Sequence, residues 1–260
     1  MNDNRIFDIK RPENEAVLSY KPESEEKVKI KKELQELSNQ IKEIPLIIGG
    51  KKIETGNIGE IKAPHNHKNV LARYHKAGER EIEMAIEEAQ KAKKEWESTS
   101  WEKRVAIFQR AAEMLAGPYR ARINATTMLS QSKNVYQAEI DSASGLIDFL
   151  RFNNYYLTNI YKEQPVSTNS AINKMEYRPL EGFIFAVSPF NFTSIAGNLA
   201  AAPAVMGNTV IWKPASRAVY SNYIFMKILK EAGLPPGVIN FIPGSGSKVG
   251  PKVLESPDLA

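Results

Sequence analysis

Over residues 22–44 the apolar side chains Ile30, Leu34, Leu37, Ile41 and Ile44 recur at steps of four, three, four and three. That spacing predicts a helix with one apolar face. Two heptads are too few for a coiled coil, so the stripe is expected to dock on its own domain. From 44 to 74 short apolar runs alternate with Gly, Pro and Asn, which predicts strands and turns. A long helical region follows Gly78. Ile82, Ala85, Ile86, Ala89, Ala92 and Trp96 keep helical spacing, as do Val105, Phe108, Ala112 and Leu115. Gly117-Pro118 breaks the pattern, and a further helix is predicted over about 137–161.

Beyond residue 176 the period changes. The runs GFIFAVS (182–188), TVIWK (209–213) and VINFI (238–242) are short and almost wholly apolar, as strands buried on both faces are. Between them helices are predicted over 194–206, ending at Gly207, and over 217–232, ending at Gly233 and two prolines. This alternation predicts parallel βαβ units with right-handed crossovers. The expected fold class is α/β, a partial Rossmann-type parallel sheet. The expected organisation is an N-terminal helical arm over 1–45, a β segment plus helices over 46–175, and an incomplete βαβαβ unit over 176–260. The third strand, 238–242, is expected to be an uncovered edge at what should be the centre of a larger sheet.

Composition changes this picture in two ways. The formal charge is +5, but it comes from mixed-sign segments such as 21–36 and 91–97. These predict solvated helix faces and no nucleic-acid surface. There is no cysteine at all, which excludes disulfides, thiolate zinc sites and thiolate catalysis within these residues. The start has no apolar signal region, and its early acids argue against a transit peptide. The most apolar stretch, 194–212, is interrupted by Asn198, Pro203, Gly207 and Asn208, too broken for a bilayer span of about 20 apolar residues. A soluble protein without a membrane partner is expected, cytoplasmic, or in the mitochondrial matrix if the source is eukaryotic. His65, His67 and His75 have no acids or thiols clustered with them, so no metal is expected.

The candidate chemistry gathers at strand ends. Asn191 and Lys213 follow or close predicted strands at the carboxyl end, where open α/β sheets bind ligands. By themselves Asn191 reads as a helix cap and Lys213 as an exposed lysine before proline. The run Gly244-Ser245-Gly246-Ser247-Lys248-Val249-Gly250 departs from GxGxxG: its last glycine is one residue late, and it follows the third strand. A dinucleotide turn and a turn with no ligand fit it equally. Glu139 reads equally as a pocket residue and as a helix-surface carboxylate, and Phe192 equally as a substrate contact and as core.

The motifs SPFNF (188–192) and WKPA (212–215), followed by AGLPPGVINFIPG (232–244), resemble the aldehyde dehydrogenase superfamily. Two longer segments, 134–156 and 167–200, are similar to its delta-1-pyrroline-5-carboxylate dehydrogenase branch, and the resemblance runs from about residue 12 onward. It implies an aldehyde-dehydrogenase-like fold with NAD as cofactor. The implied substrate is a small-molecule aldehyde, L-glutamate gamma-semialdehyde, oxidised to L-glutamate in proline degradation by a homo-oligomeric parent. It implies that the Asn191 amide helps form an oxyanion hole and that Lys213 bonds the adenosine ribose. Ser188 then lines the NAD site, Gly246 and Gly250 belong to the cofactor turn, and Phe192 and Glu139 face the substrate. Ser216 stands where many relatives carry a ribose-binding glutamate, a departure that leaves the choice of NAD to the branch.

The same resemblance calls for a cysteine nucleophile and a glutamate base beyond the third strand. With no cysteine here, the catalytic domain is expected to be absent. The chain reads as the N-terminal portion of a longer enzyme, inactive alone, whose short start argues against an N-terminal fusion. An inactive dinucleotide-binding or assembly module, or a dehydrogenase for another aldehyde, are the alternatives.

Overall fold

Ser24 accepts a hydrogen bond from the Lys27 amide and opens α1 (Glu25–Ser38), which buries Ile30 and Leu37. A computed structural model of the chain describes residues 9–260. The helix does not run to residue 44 as the spacing predicts. Ile41 is exposed, and Ile44 is buried in β1 (Lys42–Ile44). Proline disfavours helical backbone at the residue before it, and Pro45 imposes that on Ile44. The apparent stripe therefore joins a helix face to a strand.

β2 (Leu46–Ile48) and β3 (Lys51–Ile53) form a hairpin over Gly49-Gly50, whose φ angles of +55° and +73° suit glycine. β4 (Ile58–Ala63) pairs antiparallel with β5 (Asn66–His75), and β1 adds parallel to β5, making a three-stranded sheet. Only Pro45 separates β1 from β2, yet the two strands enter different sheets. Then come α2 (Glu79–Ser98), α3 (Trp101–Ala116), α4 (Arg120–Gln131) and the short α5 (Val135–Ala138). Residues Glu139–Ser144 form a π-helical turn that runs into α6 (Gly145–Lys162). The predicted single helix over 137–161 is thus wound more widely at its start.

The remaining elements are β6 (Phe183–Val187), α7 (Thr193–Val205), β7 (Thr209–Lys213), α8 (Val219–Glu231), β8 (Ile239–Phe241) and α9 (Gly246–Leu254). They form the α/β unit that the apolar runs predict. The main sheet has the order β3-β2-β8-β7-β6, with β6, β7 and β8 parallel. Both faces are covered. Ile82, Ala85 and Ala89 of α2 and Val249 and Val253 of α9 cluster with Leu46, Phe183 and Ile211 on one face. Val210, Trp212 and Phe241 cluster with Ala200 of α7 and Phe225 and Leu229 of α8 on the other. The Trp212 ring meets Phe225 and Phe241 edge-on, with centroids 6.2 and 5.1 Å apart.

The expected bare edge at 238–242 is corrected. β8 lies inside the sheet, between β7 and the β2–β3 hairpin, through the antiparallel bridge Ile47↔Phe241. The outer parallel strand is β6, where the chain returns at residues 258–260. Phe183 N donates to Asp258 O at 2.9 Å, and Ala260 N donates to Phe183 O at 3.0 Å. Strand order therefore reverses beside β6, and such a reversal opens a crevice at the strands' carboxyl ends. Among the described residues no helix is long and apolar enough to cross a membrane.

Candidate active site at the carboxyl ends of the parallel strands

The register Val187↔Lys213 and Trp212↔Phe241 brings three strand ends to one edge. Ser188 N donates to Lys213 O at 3.1 Å, and Ile242 N to Trp212 O at 2.9 Å, so Ser188, Lys213 and the turn after β8 sit level. Ser188 and Lys213 are both buried, at 6% and 7% exposure. The Ser188 hydroxyl accepts from the Trp212 indole N–H, which ties the first strand end to the core.

Lys213 has an unusual setting. Its ammonium donates to the Pro214 carbonyl at 3.3 Å, and among the described residues no carboxylate pairs with it. Burial lowers its pKa below the ordinary lysine value. A lysine held this way favours an external acceptor to restore its solvation. It is not the exposed lysine that its place before proline suggests. The N-terminus of α9 lies beside it: a Cβ on Gly246 would stand 3.8 Å from Lys213 Cε. The Ser245 side chain does not cap that helix, and the Gly246 and Ser247 amides donate to no acceptor among the described residues. Free amides at a helix start and an unpaired ammonium together make a place for oxygen-rich, anionic groups.

The glycine-rich run divides. Close approach falls on Gly244, where a Cβ would lie 2.8 Å from Val249 Cγ2. Gly250 lies within α9, where a Cβ would meet nothing within 4 Å, so no contact there calls for glycine. Ser216 is exposed at the start of a 3-10 turn (Ser216–Ala218). With Glu60, His67, Ser130 and Arg217 it lines a groove of about 290 Å³.

Asn191 and Phe192 follow β6 on the turn into α7. Both are exposed, and the cap position of α7 is Phe192, with no side-chain cap bond. Asn191 therefore does not cap the helix, and its amide is free to meet a ligand. Phe192 is no core residue either: it is 40% exposed, and the Lys133 ammonium sits 4.7 Å from its ring centroid. Lys133 also donates to the Asn191 carbonyl and pairs with Asp141 of the π-turn. Desolvation raises the pKa of Asp141, an effect that Lys133 and the Thr193 and Ser194 amides partly offset. Lys133 and Asp141 have no signal in the sequence, because neither belongs to a periodic face or a strand end.

Glu139 is corrected on one reading: it is fully buried and is not a helix-surface carboxylate. Oε1 accepts from the Leu18 amide at 3.0 Å and from the Arg120 guanidinium, and Oε2 accepts from Tyr20 Oη and Asn124 Nδ2, each at 2.6 Å. These donors satisfy the carboxylate within the protein. The histidines also stand apart from the strand ends. His75 Nδ1 accepts from the Thr55 and Gly56 amides, and His65 meets Ser132 Oγ.

The family model described as "Aldehyde dehydrogenase family" matches residues 53–260, most of the chain, including every strand end described above. The chain belongs to the aldehyde dehydrogenase family. It is 47% identical over 256 residues to a probable delta-1-pyrroline-5-carboxylate dehydrogenase of Schizosaccharomyces pombe, covering 98% of this chain and 47% of that one. It is 44% identical to the human mitochondrial delta-1-pyrroline-5-carboxylate dehydrogenase, covering 95% and 44%. The crystal structure of the Mycobacterium tuberculosis enzyme of that name, bound with NAD, superposes with a TM-score of 0.97 at 44% identity, covering 99% and 48%. The chain spans about half the length of these aldehyde dehydrogenase relatives.

Proposed function

We propose that this chain is the NAD-holding part of an enzyme that oxidises L-glutamate gamma-semialdehyde to L-glutamate. The observation that carries the reading is Lys213, a buried ammonium with no carboxylate partner among the described residues, set beside the uncapped start of α9. Lys213 would hold the ribose hydroxyls of NAD, and the Gly244–Gly246 turn would lie along its phosphates. Ser188 would close the inner wall. When bound, NAD supplies a hydride acceptor. The relatives' names, and the NAD bound to the M. tuberculosis structure, favour this cofactor and substrate.

Asn191 would act on the aldehyde oxygen. As a nucleophile adds to the aldehyde carbon, negative charge develops on that oxygen, and a fixed N–H donor lowers the barrier. The Asn191 amide donates but is neither acid nor base at neutral pH. The nucleophile of the family mechanism is a thiolate, and these 260 residues contain no cysteine. It must come from outside them. The 260-residue polypeptide mixed with NAD and glutamate semialdehyde is therefore expected to form no NADH above buffer, as followed by absorbance. Turnover that survives repurification would show that the chain does chemistry by another route.

Cofactor binding by the same polypeptide tests the main reading. Lys213→Met keeps the buried stem and removes the charge. Charge-assisted hydrogen bonds contribute about 1.5–3 kcal/mol, so NAD should bind roughly 10–100-fold more weakly in calorimetric titration. Without NAD the variant should melt no lower than wild type, because an unpaired buried ammonium is itself unfavourable. Unchanged NAD affinity would remove Lys213 from the cofactor site.

A further inference from the structure

The turn that carries Asn191 has little to hold itself. Pro189 offers no N–H, Phe190 is 63% exposed, and Phe192, the residue at the cap position of α7, makes no side-chain cap bond. Among the described residues the one hydrogen bond to the backbone of 189–191 comes from Lys133, whose ammonium donates to the Asn191 carbonyl. The same ammonium pairs with Asp141 Oδ2 and lies over the Phe192 ring. Lys133 and Asp141 are not in sequence contact with the turn, and each is aimed at it by an irregular backbone. Ser132, just before Lys133, ends α4 in the left-handed conformation at φ +54°. Asp141 sits in the π-turn, where one extra residue per turn redirects the side chains that follow. A non-glycine residue at positive φ and a π-turn are both locally unfavourable, and here both face one exposed turn.

We propose that Lys133, seated on Asp141, is a positioning residue that sets the direction in which Asn191 presents its side-chain amide. Fixing the Asn191 carbonyl fixes the plane of the 191–192 peptide and the place of Asn191 Cα, and with the chain anchored upstream at Ser188 this narrows ψ, the torsion that aims the Cα–Cβ bond of Asn191. Two side-chain torsions are then left free. The cation over Phe192 holds the other side of the same peptide. This assignment rests on the reading of Asn191 as the oxyanion donor. Its structural half does not, and the two are read separately.

The structural half is tested on the 260-residue chain labelled with 4-fluorophenylalanine, with the Phe192 resonance assigned by Phe192→Leu. In Lys133→Met that resonance should move toward the position of a solvated ring. Lys133→Arg, which keeps the charge, should restore it. If Lys133→Met does not fold, Asp141→Asn keeps the shape, removes the anchor charge and should move the same line. A Phe192 resonance that stays in place in the folded variants overturns the proposal and leaves a plain ion pair. The functional half is tested in the longer enzyme containing the cysteine-bearing part. Lys133→Met should slow single-turnover oxidation by about 10²-fold, the effect of a misplaced catalytic group, with NAD affinity unchanged. Adding Asn191→Ala should cost little more than Asn191→Ala alone, because both remove one interaction. Rate losses that multiply would overturn the positioning role. If Asn191→Ala alone has no effect, the oxyanion reading fails, and the fluorine result still decides what holds the turn.

Discussion

In the proposed longer enzyme, Asn191→Ala is expected to lower the rate of aldehyde oxidation by about 10²–10³-fold, the loss typical of one oxyanion donor. NAD affinity is expected to stay nearly unchanged. The reasoning starts from position: Asn191 lies just past the carboxyl end of β6, beside the reversal of strand order, and its side chain is exposed and caps nothing. An amide free of protein partners in the ground state can give its full hydrogen bond where charge develops. An interaction made only in the transition state lowers the rate of the chemical step when removed, with ground-state binding left alone. Lys213→Met should show the reverse pattern, because on the proposed reading that ammonium would hold the ribose, away from the reacting carbon. Single-turnover rates and NAD dissociation constants for both variants separate the roles. If Asn191→Ala mainly weakens NAD binding and spares chemistry, Asn191 shapes the cofactor site and is not an oxyanion donor.

The second large effect falls on stability and needs no activity. Glu139→Ala should destabilise the folded chain by about 3–5 kcal/mol, as breaking one side of a buried ion pair does. Arg120 would keep Glu15 and the Ala16 carbonyl but lose the carboxylate that, with Glu15, holds its pKa up against burial. Tyr20 and Asn124 would also lose an acceptor, and Tyr20, whose pKa is pushed up by burial and by Glu139, would keep a hydroxyl facing only Asn124. Leu18 and Tyr20 belong to the segment before α1, so Glu139, beside the Arg120 contacts to Glu15 and Ala16, binds that segment to the π-turn. At roughly 2–4 °C per kcal/mol for a chain near this size, the melting midpoint should fall by about 6–20 °C. Replacing both partners, with Glu139→Met and Arg120→Met together, should cost less than Glu139→Ala, because no buried charge is then left unpaired. A midpoint for Glu139→Ala within a degree of wild type would mean that solvent already screens this carboxylate.

Much of the architecture was legible along the chain. Apolar runs at 182–188, 209–213 and 238–242 became β6, β7 and β8, and the glycines at 207 and 233 follow the ends of α7 and α8. Those features depend on local period and on residues that allow or forbid a backbone conformation, which a linear reading can see. The placement of Ser188, Asn191 and Lys213 at one edge follows for the same reason, since parallel strands bring their carboxyl ends together.

Partners were not legible. The spacing of Ile41 and Ile44 matches a helix, and only the backbone preference before Pro45 and the pairing of β1 with β5 part them from α1. That β8 is interior depends on a hairpin some 190 residues earlier, which local period cannot foretell. Glu139 had two readings along the chain, and the helix surface was the wrong one, because a carboxylate's setting depends on what surrounds it. Its donors come from Leu18, Tyr20, Arg120 and Asn124, two of them more than a hundred residues away. Lys133 and Asp141 carry no sequence mark because their meeting with Asn191 is set by a left-handed turn and a π-turn. The chain by itself determined most of its elements and the edge where Ser188, Asn191 and Lys213 gather. Tertiary structure alone decided which buried charges are paired, because desolvation and pairing act through space and the hydrophobic period acts along the chain.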